Sequence, residues 1–127
     1  MFSHMVIGAD DIAASKAFYD AALGALDVPA GVVDEWGRVV YSHAGGRFLL
    51  TRPIDGAPAS RGNGSTLGFA AASTGAADAW HAAGLANGGT ACEDPPGIRH
   101  GTAGRTLYLA YLRDPAGNKL CATHRVA

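Results

Sequence analysis

From Phe2 to Ala9 the chain reads FSHMVIGA, a short apolar run in which His4 and Val6 share one parity and Ser3 and Met5 the other. That period predicts a strand. Asp10 and Asp11 then stand as N-cap candidates before DIAASKAFYDAALG. There Ile12, Phe18 and Leu23, with alanines between them, make an apolar face that predicts a helix to about Leu23, with Gly24 as its stop. Three short strands are expected near Ala30–Val33, Arg38–Ser42 and Phe48–Thr51, punctuated by Gly37 and by Gly45-Gly46. The stretch PIDGAPASRGNG, residues 53–64, has no periodic apolar signal and reads as a linker. Beyond it STLGFAAAS predicts a strand ending in a cap residue, Ser73, and a helix follows from about Thr74 to Leu85, ended by Gly88-Gly89. A weak strand around Thr90–Glu93, a loop DPPGIRHGTAG, and strands over Thr106–Arg113 and Asn118–His124 complete the chain.

The order strand, helix, three strands thus occurs twice. A shift of 62 residues places Thr66 on His4, Phe69 on Ile7, Ser73 on Asp11, Trp80 on Phe18 and Leu85 on Leu23. A second shift, of 72, places Asn118-Lys119-Leu120-Cys121 on Gly46-Arg47-Phe48-Leu49. The pattern predicts an α+β fold of two βαβββ modules, residues 1–52 and 65–127, in a single domain. Neither module has enough core to stand alone, so a curved mixed sheet built from both should enclose a cleft.

Composition narrows the classes. With 127 residues, 48% hydrophobic and 17% charged, the chain suits one folded domain. A formal charge of -1, without a basic run, argues against nucleic acid as a partner. No apolar stretch approaches the roughly 20 residues needed to span a bilayer. The opening MFSHMVIGADD lacks the basic and apolar regions of an export signal, so a cytoplasmic setting with Cys92 and Cys121 as reduced thiols is expected. HExxH, GxSxG and GxGxxG are absent, and Gly62–Gly64 is no helix-capping phosphate loop because a strand follows it.

The opening strand with His4, the helix DIAASKAFYDAALG, the pair STLGFAAASTGAADAWHAAG and the closing YLRDPAGNKL together resemble the vicinal oxygen chelate superfamily of glyoxalases, bleomycin-resistance proteins and extradiol dioxygenases. The resemblance covers nearly the whole chain and implies a glyoxalase-like fold, a small organic ligand of aromatic or anionic character, and a homodimer. It also implies four metal-ligand positions, which fall on His4, Leu49, Thr66 and Cys121, and only His4 keeps the usual ligand type. Leu49 supplies no donor, Thr66 is a poor ligand, and one imidazole with one thiolate makes half a site. The expectation is therefore a small-molecule pocket without a cofactor or a complete metal centre. The alternative is a lyase, isomerase or dioxygenase using zinc, nickel, manganese or iron on His4 and Cys121.

Other candidates for the pocket come from residue type and position. Cys121 is a small, easily buried residue, and His124, of opposite parity, should face away from it. His100 and Arg99 lie in a glycine-rich loop that the resemblance places at the pocket mouth, where they could meet a carboxylate. Tyr108 and Tyr111 differ in parity, and the resemblance favours Tyr108 as the pocket residue. Trp36 and Arg38 follow a turn and offer an aromatic and a basic group for a flat anion.

Overall fold

The computed structural model describes residues 1–127. The first module runs β1 (His4–Gly8), α1 (Ile12–Gly24), β2 (Val32–Val33), β3 (Val39–His43) and β4 (Gly46–Thr51). The second runs β5 (Leu67–Ala70), α2 (Thr74–Ala86), β6 (Thr90–Ala91), β7 (Gly97–His100), β8 (Thr106–Arg113) and β9 (Lys119–Arg125). The sheets are ordered β1-β4-β3-β2 and β5-β9-β8-β6, with β7 also on β8. In each sheet the first and last strands of the module run parallel and the remaining pairs antiparallel.

The internal repeat holds at the level of register. Val6 pairs with Leu49 in one sheet and Gly68 with Cys121 in the other, which are the partners the two shifts equate. Both helices start on the same device: Asp11 Oδ1 accepts from Ala14 N at 3.0 Å, and Ser73 Oγ accepts from Ala76 N at 3.0 Å. Each side chain satisfies a backbone donor that the first helical turn leaves unpaired. Phe18 and Trp80 are both fully buried. The equivalence lapses at the last turn, where Leu23 is 2% exposed and Leu85 43%. In α2 the inward position belongs to Gly84 instead. A Cβ there would lie 2.3 Å from Leu112 Cδ1 and 3.0 Å from Phe18 Cε2, so only glycine fits.

The segment expected as a loop between Asp94 and Gly104 contains β7, a correction with a simple cause. β8 is eight residues long, and β6 pairs only with its Leu112–Arg113 end. The rest of that edge would leave unpaired backbone groups, and Gly97–His100 covers them against Thr106–Leu109. Pro95 and Pro96, which carry no backbone N–H, separate the two short strands.

One apolar cluster joins the modules. Phe18, Tyr19, Leu23, Tyr41, Phe48 and Leu50 from the first meet Trp80, Ala110, Leu112 and Leu120 from the second. The turn between β8 and β9 fastens this contact. Asp114 Oδ2 accepts from Tyr19 Oη at 2.6 Å and from Asn118 Nδ2 at 2.9 Å, and Asn118 Nδ2 also reaches Gly8 O at 3.1 Å. Its Oδ1 takes the N–H groups of Ala116 and Asn118. Within the chain the curved surface is made of two sheets rather than one, because β1 and β5 each end their sheet as an edge strand. The gap between those edges positions the site.

Candidate functional site

Strand alternation sorts the side chains onto two faces. Val39, Tyr41, Phe48 and Leu50 in one sheet, and Ala110, Leu112, Leu120 and Ala122 in the other, point into the core beneath the helices. Their neighbours point the other way. The helix-free faces therefore carry His4, Val6, Arg47 and Leu49 in the first module, and Gly68, Tyr111, Lys119 and Cys121 in the second. Thr66, just ahead of β5, has the parity of Gly68.

Tyr108 is the exception among the expected residues. It pairs in register with His124, packs against the core, and donates its hydroxyl to Asp78 Oδ1 of α2 at 2.6 Å. It lies under the helix, and the tyrosine that shares the face of Cys121 is Tyr111, its register partner. Counting alternation from the buried Leu112 and Leu120 gives this result. His124, with Nδ1 3.0 Å from Ala71 O, faces away from Cys121.

A cavity of about 540 Å³ opens at the gap between β1 with β4 on one side and β5 on the other. That volume suits a small organic molecule. Of its 18 lining residues 11 are hydrophobic, which makes the interior apolar. Phe2, Leu23, Leu26, Tyr41, Phe48, Leu67 and Phe69 form the walls. Phe48 and Phe69 meet edge to face across the two modules, with centroids 5.5 Å apart. The polar lining is confined to Ser3, His4, His43, Arg47 and Thr66, and no carboxylate is among the lining residues. Arg47 has no ion-pair partner anywhere in the chain. Ser3 Oγ lies 2.7 Å from His4 Nδ1, which orients the imidazole.

Of the residues expected at the pocket, His4 and Thr66 line this cavity. Leu49 and Cys121 sit on the helix-free faces outside it. Trp36 and Arg38 serve their own turn: Arg38 Cζ stands 4.9 Å over the Trp36 ring, and Arg38 Nε meets Asp34 Oδ2 at 2.7 Å. Trp36 is 71% exposed. Arg99 and His100 belong to β7, where Arg99 Nη2 donates to Pro95 O at 2.8 Å. The other lining residues escape sequence reading, Tyr41, Arg47, Phe48 and Phe69 among them. Arg47 had a usable signal, since the second shift puts it level with Lys119 and the register pairs it with His4.

Residues 1–122 match the model of the Glyoxalase/Bleomycin resistance protein/Dioxygenase superfamily. The chain belongs to that superfamily. A glyoxalase/bleomycin resistance protein from Albidiferax ferrireducens T118 is 58% identical, with a TM-score of 0.94 over 98% of this chain and 99% of that one. A lactoylglutathione lyase from Agrobacterium tumefaciens shares the fold at 22% identity and a TM-score of 0.65, over 97% and 92% of the two chains. A virulence protein from Salmonella typhimurium does so at 20% and 0.66, over 97% and 94%. No curated protein matches the chain in sequence. No helix is long and apolar enough to cross a membrane.

The superfamily often works through a divalent metal, and the donors present do not fit one. Leu49, which pairs with Val6, offers only carbon at its ligand position. Cys121 is 5% exposed, and its burial pushes the thiol up from its ordinary value despite the Thr123 hydroxyl at 3.4 Å. A protonated thiol is a poor nucleophile. Burial likewise raises Cys92, and both cysteines are free. Nowhere do three His, Cys, Asp or Glu side chains gather as a metal site would require.

Proposed function

We propose that this superfamily member binds a small aromatic carboxylate in the cavity between β1 and β5, as a cytoplasmic homodimer, without a catalytic metal. The observation that carries the reading is an apolar cavity walled by Phe48, Phe69 and Tyr41 whose only cationic lining residue other than histidine, Arg47, lacks a partner. Rings in the cavity bury against the aromatic walls, each square ångström of apolar surface removed from water contributing about 25 cal/mol. A carboxylate at the rim meets the Arg47 guanidinium and the donors of His4 and Thr66, where charge-assisted bonds are strongest. Sequestration of the ligand requires nothing further from the chain.

Calorimetric titration with a panel of aromatic carboxylates, matched by their amides, tests this. The expected result is saturable binding of one or more acids, at least tenfold weaker for the matched amide and for the Arg47→Gln variant. Indifference to the carboxylate, or unchanged binding by Arg47→Gln, contradicts it.

A further inference from the structure

A second cavity, of about 200 Å³, lies where the end of the linker meets the β8–β9 turn. Arg61 to Thr66 line one side and Arg113 with Lys119 the other, and there is no hydrophobic and no acidic residue among them. Both arginines lie against Gly117, one through its guanidinium and the other through its stem. Arg113 Nη1 donates to Gly117 O at 2.8 Å, and the stem of Arg61 lies over the same residue, 3.7 Å from where its Cβ would stand. Neither arginine has a carboxylate partner. Asp114, the acid of that turn, is buried and already taken by Tyr19, Asn118 and two backbone N–H groups. Lys119 pairs with Glu93, so the cavity gathers three cations against one neighbouring acid.

The loop supplies further donors. Gly62 and Gly64 have φ of 59° and 95°, conformations that side chains disfavour. Ser65 closes the turn, its N–H 2.9 Å and its hydroxyl 2.6 Å from Gly62 O. The N–H groups of Asn63 and Gly64 have no backbone acceptor. Unspent backbone donors in a cavity lined by three basic residues form a concavity suited to an anion. Like charges held together cost Coulomb energy that a bound oxyanion recovers.

We propose that this cavity binds a phosphate-type oxyanion, held by Arg61, Arg113 and Lys119 with the loop N–H groups. It is a different site from the apolar cavity and does not rest on the ligand assigned there. Thr66 lines both, so the phosphate is either free or the end of an organic ester running past Thr66.

The test is a titration with inorganic phosphate at constant ionic strength, followed by calorimetry and by thermal unfolding. Saturable binding and a rising Tm are expected. Arg61→Gln, in the exposed linker, and Arg113→Gln should each weaken binding at least tenfold, and Glu93→Gln, which frees Lys119, should tighten it. Phenyl phosphate distinguishes the sources. Affinity equal to or below that of phosphate indicates the free ion, tenfold tighter binding indicates an ester, and both uphold the site. A response matched by chloride, a response that does not saturate, or one indifferent to Arg61→Gln overturns it.

Discussion

The phenol of Tyr19 is buried and donates to Asp114, and that of Tyr41 donates to Asp20 Oδ1 at 2.8 Å. Burial first, and the carboxylate second, raise both phenols above their ordinary value. The folded state thus keeps two protons that an unfolded chain releases above pH about 10. Stability from these groups is complete below that pH and is lost as pH rises towards the raised values. For a fully buried tyrosine such as Tyr19 the loss is about 1.4 kcal/mol per pH unit. Urea denaturation from pH about 9 to 12 should show this decline, and Tyr19→Phe should start lower but fall less steeply. An equal slope in the variant contradicts the assignment. These residues also mark what sequence could supply. Asp114 and Asn118 were legible as turn formers by type and spacing, whereas their bonds to Tyr19 and Gly8 depend on module contacts with no local trace.

Among the elements, helices were read most closely, because a cap and an apolar period are local signals. Asp11 and Ser73 cap as expected, and α1 and α2 end within a residue of the expected limits. β7 was missed because it forms for the sake of the β8 edge, and its own residues, GIRH, carry no strand pattern. Gly84 likewise reads as a weak point in a helix until Leu112 and Phe18 are seen beside it. Gly84→Ala should therefore destabilise the fold by about 1–3 kcal/mol, against the helix propensity of alanine. At Gly24, where a Cβ meets nothing within 4 Å, the same change should be neutral or stabilise. Urea midpoints of the two variants check this, and a gain at Gly84 would refute the packing of α1 against α2.

At the scale of the molecule, the repeat and the closing turn made the architecture legible, and alternation puts His4, Leu49 and Cys121 on the helix-free faces. A cleft between the modules was legible, and His4 and Thr66 with it, but its position was not, because it exists where two sheets fail to join and no residue pattern announces an absent hydrogen-bond ladder. Tyr108 followed the resemblance rather than the alternation, and the alternation was the better guide. The helix-free face of the first sheet exposes Val6 and Val32 on either side of the buried Leu49, a surface that a second copy of the chain would cover. Sedimentation should show a dimer that Val32→Glu, on the exposed strand β2, shifts towards monomer. A wild-type monomer at micromolar concentration contradicts that arrangement.

On the proposed reading, the apolar cavity binds its ligand without a divalent ion. The most direct test is the affinity for an aromatic carboxylate, measured in chelator and again with zinc, nickel, manganese or ferrous iron in excess. Affinity unchanged within about twofold, and lost in Arg47→Gln, is the result this structure predicts. Binding that appears only with metal and disappears in His4→Ala would contradict it.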